Sequence, residues 1–280
     1  MKNLSKRVLS GLVLFSLLTL IIYGVSAIDW EIGAYAIALI TLVIYWEFHH
    51  FFEKKVNGLV FLLSPTLGIT YLIVFFTSDP HNIIIISCLT WVLMSIRIII
   101  FDNPKTNSIE LFILGNLLIF PAFISAFFIF LDWSPSILLL ILFGVSIADT
   151  SAYFVGKKFG KTQLLPNTSP GKTLEGLLGA CVITPILIAL IAFFLDYQFI
   201  GFFIFGLIIT PISFIGDIVF SYMKRSRKKK DSSNLIPGHG GFIDLLDGTI
   251  AVLTFFWMFA LYPTGRIGEI IYENFLIYLI

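Results

Sequence analysis

Residues 174–222 read LEGLLGACVITPILIALIAFFLDYQFIGFFIFGLIITPISFIGDIVFSY, two apolar runs that are separated only by Asp196, Tyr197 and Gln198. Each run is long enough to cross the roughly 30 Å hydrocarbon core of a bilayer, which takes about 20 residues of helix. Similar runs lie near 8–28, 31–47, 59–77, 82–101, 109–131, 135–156 and 242–262. Only helices and closed barrels satisfy their backbone groups in lipid, and these runs are too long for barrel strands. The sequence therefore predicts an all-α, polytopic integral membrane bundle of about nine transmembrane helices.

The composition excludes soluble and disordered proteins. Hydrophobic residues make up 58% of the 280 residues and charged residues 12%, against about 45–50% and 25% in an ordinary domain. A soluble domain of this size cannot bury so much apolar surface, and a disordered chain shows the opposite balance. The net charge of +1 gives no indication of a nucleic-acid partner. Cys88 and Cys181 lie within apolar runs and indicate neither a disulfide framework nor a metal cluster.

The basic residues predict the orientation of the chain. If the N-terminus is cytoplasmic, every Lys and Arg except Arg266 falls in a predicted cytoplasmic segment, as the inside-positive rule expects. We interpret the first run as a retained helix, although Val25 and Ala27 resemble a signal-peptide cleavage site. We divide the chain into N-terminal helices in 1–134 and a C-terminal region in 135–280, whose polar cytoplasmic loops are 157–173 and 223–241.

Several carboxylates lie in or beside predicted spans, where charge is costly and therefore informative. Asp149 lies in the sixth span and Asp217 in the eighth, whereas Asp244 and Asp247 share one face of the first turn of the ninth. Carboxylate oxygens suit Mg²⁺, so Asp217, Asp244 and Asp247 form the predicted metal site. Asp149 and Asp217 have an alternative role, in which a protonated or hydrogen-bonded carboxyl only holds two helices together. Glu47, at the inner end of the second span, stands where polar residues are ordinary and indicates no metal site.

The first polar loop contains a candidate phosphate site. Ser169 followed by Pro170 predicts an N-cap and the first residue of a helix. Lys172 and Thr173 would then lie in the first turns of that helix, whose free N–H groups can bind phosphate. The alternative is a capped helix with ordinary cytoplasmic lysines.

The second polar loop is basic and then rich in glycine. Six Lys and Arg residues fall between Lys224 and Lys230, and such a run also serves to bind acidic headgroups. Gly240 and Gly241 follow His239 and give a backbone that can approach a ligand closely. A lone His in a loop of this kind is more often a hydrogen-bonding residue than a catalyst.

Residues 221–247 closely resemble the signature of the phosphatidate cytidylyltransferases, also called CDP-diacylglycerol synthases. The fixed positions of that signature are met by Ser221, Met223, Lys224, Arg225, Lys230, Asp231, Ser233, Ile236, Pro237, His239, Gly240, Gly241, Phe242, Asp244, Leu246 and Asp247. Upstream, thirteen residues resemble a second block of the family: Asp149, Ala152, Tyr153, Gly156, Phe159, Gly160, Lys161, Ser169, Pro170, Lys172, Thr173, Glu175 and Gly176. One departure is Leu245, which stands where the signature usually has an Arg that can bind phosphate or pair with an acid.

The resemblance implies that CTP and phosphatidic acid react to give CDP-diacylglycerol and pyrophosphate. It implies catalytic roles for Asp217, Lys224, Arg225, Asp231, His239, Asp244 and Asp247. It implies substrate-binding roles for Asp149, Ser169, Lys172, Thr173, Glu175, Ser221, Lys230, Gly240 and Gly241. A phosphate nucleophile is already ionised at neutral pH, so we expect His239 to bind or orient phosphate rather than to act as a base.

The expected cofactor is Mg²⁺ on Asp217, Asp244 and Asp247, while a second metal or a monovalent cation stays an open alternative. The expected partners are CTP and phosphatidic acid in the bilayer, without nucleic acid, and a homodimer stays open. We expect the chain in a bacterial cell membrane with its active site facing the cytoplasm.

Three other functions stay open at this point. The first is a related enzyme that acts on another lipid phosphate, and the second, suggested by Leu245, is a lipid-binding scaffold without catalysis. The third is a transporter that uses Asp149 and Asp217 as ion-coupling sites. Transporters place such sites near the midplane between repeated halves, whereas these acids lie near one face and no repeat is evident.

Overall fold

The computed structural model describes residues 30–49, 51, 81–130, 135–236 and 240–261. Within these residues the chain forms α-helices and one antiparallel two-stranded sheet. In chain order the elements are α1 (Trp30–His49), α2 (His81–Phe101), α3 (Ser108–Phe128), α4 (Pro135–Phe159), β1 (Gln163–Leu165), β2 (Ser169–Thr173), α5 (Leu174–Phe194), α6 (Phe199–Ser226) and α7 (Phe242–Leu261).

The helices coincide with the apolar runs of the sequence to within a few residues. Five of them, α2 to α6, are long and apolar enough to cross a membrane, which confirms a helical membrane protein. The runs near 8–28 and 59–77 lie outside the described residues, so the number of nine spans stays a prediction. The helix α6 continues to Ser226, past the apolar run that ends near residue 222, and Lys224 in this last turn is paired with Asp244 inside the bundle.

The helix α7 is central to the described bundle. It packs against α1, α2, α3, α4 and α6, and Ile243, Ile250 and Ala251 along it are buried. Lipid is as apolar as these side chains, so close packing and interhelical hydrogen bonds, rather than escape from water, hold helices together in a membrane. The predicted N-terminal and C-terminal regions therefore meet along the helix that carries Asp244 and Asp247.

Small residues bring α4, α5 and α6 into close contact. A Cβ atom added at Gly206 in α6 would lie 2.6 Å from the Cα of Pro185 in α5, and one at Gly179 would lie 2.8 Å from the Cβ of Val155 in α4. Glycine at these positions lets two backbones approach as closely as membrane helices commonly do. The three helices thereby form a compact support for the polar loop between α4 and α5.

That polar loop folds into a hairpin, which corrects the predicted helix start at Ser169. In the sheet, Leu165 pairs with Ser169 and Gln163 pairs with Thr173, so Ser169 lies in a strand. The helix α5 begins only at Leu174, and its N-cap is Thr173, whose hydroxyl accepts a hydrogen bond from the N–H of Gly176 at 3.2 Å. A capping residue does precede the helix, but it is Thr173, four positions after the predicted Ser169. The backbone groups of Ser169–Thr173 are instead hydrogen-bonded in the pairing of β2 with β1.

Polar contacts join the loops at one end of the bundle. The hydroxyl of Tyr222 in α6 donates to the carbonyl of Lys105, which follows α2, at 2.6 Å. The carboxylate of Asp102 accepts hydrogen bonds from the N–H groups of Asn167 at 2.7 Å and Thr168 at 2.9 Å, in the turn of the hairpin. The end of α2, the hairpin and the end of α6 are therefore held together, in agreement with their placement on one side of the membrane by the charge pattern.

Candidate active site

Two glycines bring α6 and α7 together beside the predicted metal-binding acids. A Cβ atom at Gly216 would strike the carbonyl oxygen of Asp247 and would lie 2.8 Å from the Cα of Gly248. The following residue of α6 is Asp217, so Asp217 and Asp247 lie beside the same close crossing of α6 and α7. Close approach of the two backbones therefore joins two of the three acids that the sequence predicts to act together.

Lys224 connects the acids of α7 to α6. Its Nζ atom donates to Oδ1 of Asp244 at 2.5 Å and lies 3.8 Å from Oδ2 of Asp247. The side chains of Lys224 and Asp244 are each only 8% exposed. Removing one partner of a buried ion pair strongly destabilises a protein, because the other charge is left buried without a partner. The predicted catalytic residues Lys224, Asp244 and Asp247 are thus brought together.

The hairpin contributes a second lysine to the same group. Lys172 in β2 forms an ion pair with Asp217, and its Nζ atom lies 4.6 Å from the centre of the Phe214 ring, a favourable place for a cation. Asp149 in α4 lies close enough for its charge to act on those of Asp217 and Lys172. We call Asp149, Asp217, Asp244 and Asp247, with Lys172 and Lys224, the acid–lysine cluster.

Ser232, Gly240 and Gly241, which belong to the glycine-rich segment 232–243, lie close around Asp244. Oδ2 of Asp244 accepts hydrogen bonds from the N–H groups of Ser232 at 2.7 Å and Gly241 at 2.9 Å, and from the Ser232 hydroxyl at 2.8 Å. Gly240 has a φ of +98°, in the left-handed region that favours glycine, and a Cβ there would strike the Asp244 carboxylate. A Cβ at Gly241 would strike the Ser232 hydroxyl. In the structure, therefore, the backbone of these glycines closely approaches Asp244 and Ser232.

Several predicted substrate-binding residues shape the hairpin. Glu175 accepts hydrogen bonds from the N–H groups of Lys161 at 3.0 Å and Thr162 at 3.1 Å, and from the Thr162 hydroxyl at 2.9 Å. Thr173 caps α5, and Ser169 lies in β2. These contacts fix the strand that carries Lys172, while direct contact of the three residues with substrate stays a prediction.

Arg225 ties the end of α6 to the hairpin turn. Its Nε atom donates to the carbonyl of Thr168 at 3.3 Å, and Nη1 donates to the carbonyl of Lys229 at 3.0 Å. Ser221 is half-buried one turn earlier on α6. His239 lies outside the described residues, so its expected role stays a prediction.

The rest of the basic run differs from one lysine to the next. The Lys229 ammonium lies 5.9 Å from the centre of the Phe51 ring, and partial burial lowers its pKa. Lys228, Lys230 and Asp231 are exposed. The exposed lysines are therefore accessible to headgroups, in contrast to the buried Lys224.

Two carboxylates from the N-terminal helices reach the site without a clear signal in the sequence. Glu47 in α1 is completely buried and accepts hydrogen bonds from the Ser232 and Ser233 hydroxyls and from the first two N–H groups of α7. Asp102 holds the hairpin turn. The sequence offered one indication of a role for Glu47, namely that a charged residue stands in the last turn of an otherwise apolar helix.

The cluster supplies donor atoms of the type that divalent cations bind, although the part of the chain that the structure describes does not bring three of them together. Among the described residues no three His, Cys, Asp or Glu side chains converge closely enough to hold a metal ion. However, the oxygens of Asp217, Asp244 and Asp247 already face ammonium groups, so positive charge is favoured in contact with each of them. Mg²⁺ takes carboxylates together with phosphate oxygens and water, and this donor set is of that kind.

Comparison with known proteins identifies the relatives of this chain. Residues 5–262 match a family described as the cytidylyltransferase family. A phosphatidate cytidylyltransferase of Haemophilus influenzae is 28% identical over 91% of this chain and 98% of its own length. Others named phosphatidate cytidylyltransferase come from Aquifex aeolicus, at 32% identity over 71% of each chain, and Helicobacter pylori, at 29% over 87% of each chain.

Proposed function

Since the chain belongs to the cytidylyltransferase family, we propose that it transfers a cytidylyl group from CTP to phosphatidic acid in the membrane. The products are CDP-diacylglycerol, a precursor of phospholipids, and pyrophosphate. The name of the relatives supports this choice of substrates. The observation that carries the proposal is the acid–lysine cluster, in which Lys172 of one family block forms an ion pair with Asp217, and Lys224 and Asp244 of the other block pair with each other.

The charge of the cluster supports a requirement for Mg²⁺. Four acidic side chains and two lysines make up the cluster, and both substrates are anionic. Phosphate oxygens would therefore be repelled unless a cation came between them and the acids. Asp217, Asp244 and Asp247 would hold the ion, and a bound Mg²⁺ would offset the charge that spreads over the phosphate oxygens during transfer.

The lysines of the cluster supply positive charge at the reacting phosphates. Lys172 and Lys224 are each held by a carboxylate, and these ammonium groups would orient CTP and the lipid phosphate. Leu245, which stands at the position of the Arg in the signature that this segment resembles, is half-buried and packs against the core. The positive charge beside Asp244 comes instead from Lys224 at 2.5 Å.

The reaction itself requires little of a general base. An ionised oxygen of the phosphatidate phosphate attacks the α-phosphorus of CTP in line, and the bond from that phosphorus to the bridging oxygen of the β-phosphate breaks. Pyrophosphate leaves with the bonding electrons. Because the attacking oxygen carries no proton at neutral pH, positioning and charge stabilisation are the main tasks of the protein.

We place the chain in a bacterial cell membrane with the acid–lysine cluster facing the cytoplasm. The relatives are bacterial, and the loops predicted to be cytoplasmic are joined to one another by hydrogen bonds at one end of the bundle. CTP and lipid headgroups meet only at that surface of the membrane, so the site must open there.

The test uses purified protein in mixed micelles of detergent and phosphatidic acid with Mg²⁺. With CTP labelled at the α-phosphorus, label should move into the lipid, whereas label at the γ-phosphorus should stay in water as pyrophosphate. A panel of other lipid phosphates separates this function from that of a related enzyme. Label that stays in water from both forms of CTP, with folded protein, would contradict the proposal and favour a scaffold or transporter.

A further inference from the structure

Glu47 holds both ends of the glycine-rich segment from outside the two family blocks. Its Oε1 atom accepts from the Ser233 hydroxyl at 2.7 Å and the N–H of Phe242 at 2.9 Å. Its Oε2 atom accepts from the Ser232 hydroxyl at 3.0 Å and the N–H of Ile243 at 2.9 Å. The two amides are the first of α7 and have no acceptor within that helix, so a carboxylate there satisfies them and interacts favourably with the helix dipole.

Ser232 connects Glu47 to the acid–lysine cluster. Its hydroxyl lies 3.0 Å from Glu47 and 2.8 Å from Oδ2 of Asp244, and its N–H also donates to that oxygen. The other oxygen of Asp244 accepts from Lys224. The orientation of the Asp244 carboxylate is therefore set by a segment that Glu47 holds at both ends.

The carboxylate of Glu47 has no exposed surface, and burial of a charge is costly where packing alone is needed. All four hydrogen bonds described above go to the segment from Ser232 to Ile243. A residue needed only for packing could be apolar at this position. We propose that Glu47 is a positioning residue for cytidylyl transfer, which orients Asp244 through Ser232 and the first turn of α7.

The first test compares Glu47→Gln with the unchanged chain in the transfer assay. Gln keeps the size of Glu but turns an amide N–H₂ group towards two of the four donors. We expect kcat to fall at least about tenfold, and any rise in KM for CTP to be relieved by more Mg²⁺, because Glu47 orients Asp244, one of the proposed metal ligands. A folded Glu47→Gln protein with unchanged kcat would overturn the inference.

Ser232 and Ser233 provide a matched pair that leaves Glu47 in place. Both hydroxyls donate to Glu47, but only that of Ser232 also reaches Asp244. Ser232→Ala should therefore lower kcat by several-fold more than Ser233→Ala, a difference that a purely structural clamp would not produce. Equal losses would overturn the inference, and this pair decides it even if Glu47→Gln fails to fold.

Double variants measure whether Glu47 acts through Asp244. Adding Ser232→Ala to Asp244→Asn should change kcat by less than about twofold, since the group being oriented is already altered. The control is Asp102→Asn, which weakens the hydrogen bonds to the hairpin turn and leaves the contacts of Asp244 in place. The fold losses in kcat from Asp102→Asn and Asp244→Asn should therefore multiply in the double variant. If the loss from Ser232→Ala multiplies in the same way, Asp244 is not the link.

This inference rests on the proposed function, because its readout is cytidylyl transfer. The two fail differently. If the unchanged chain does not transfer label from CTP to phosphatidic acid, the proposed function is wrong. If the unchanged chain is active and the Ser232 and Ser233 variants behave alike, only the role of Glu47 is wrong.

Discussion

Replacing Gly216 by Ala tests whether the close crossing of α6 and α7 is what makes the site. The added Cβ would lie 2.8 Å from the Cα of Gly248 and 3.0 Å from the Cβ of Ala251, and it would strike the carbonyl of Asp247. Ordinary contact begins at 3.4 Å, so the helices must separate by roughly 0.6 Å at the Cα of Gly248 and by more at the carbonyl of Asp247. This separation acts directly on the spacing of Asp217, which follows Gly216, and Asp247, whose carbonyl the added Cβ would strike.

A displacement of this size should have a large effect on the rate of transfer and a moderate effect on the free energy of unfolding. A misplacement of about 1 Å can lower a rate about a hundredfold, whereas overpacking costs about 1–3 kcal/mol. We expect Gly216→Ala to lose at least about tenfold in kcat while it still folds. The assay is specific activity and thermal melting in detergent on the same samples.

The control for this experiment is Gly171→Ala, where an added Cβ meets nothing within 4 Å. Its melting temperature should match that of the unchanged chain, so that an effect of alanine by itself is excluded. Full activity in Gly216→Ala, at any melting temperature, would refute the argument that the spacing of α6 and α7 determines the geometry of the acids.

Three further predictions follow from the same contacts. Alanine at Lys224 and Arg225 should cost more specific activity than alanine at Lys228 and Lys229, because the first pair contacts Asp244 or the hairpin and Lys228 is exposed; equal losses would indicate a diffuse electrostatic anchor. Glu175→Gln should weaken the hairpin and lower activity about threefold to tenfold without abolishing it, as measured by initial rates, since hydrogen bonds to a charged group contribute about 1.5–3 kcal/mol. Chelation of divalent cations should abolish transfer and added Mg²⁺ should restore it; full turnover after exhaustive chelation would show that no divalent ion is needed.

The apolar pattern predicted the helices well because the constraint is local. Each run must hydrogen-bond its own backbone in lipid, so its bounds follow from length and composition. The helix α6 continues four residues past the run near 199–222, and the pairing of Lys224 in that extension with Asp244, 20 residues along the chain, has no local signal in the sequence. The helix start at Ser169 was wrong because a local capping rule cannot recognise that β1 pairs with this segment.

The acids of the cluster were identifiable because their chemistry is unusual at membrane depth. Asp217, Asp244 and Asp247 stand out as charges beside apolar helices, and the glycine-rich segment accompanies them. Glu47 could not be found in this way, since its partners Ser232 and Ile243 lie 185 and 196 residues away. Only the packing of α1 against α7 gives its carboxylate a role.

The specific activity of Asp217→Asn, Asp244→Asn and the double variant shows whether one group of acids and lysines carries out cytidylyl transfer. Each single change removes charge and keeps shape, so we expect each to lose at least about tenfold in rate, about 1.4 kcal/mol of barrier. The losses should be strongly non-additive, because groups that act as a unit fail together. Near-normal activity in the double variant, from protein that melts like the unchanged chain, would contradict the account.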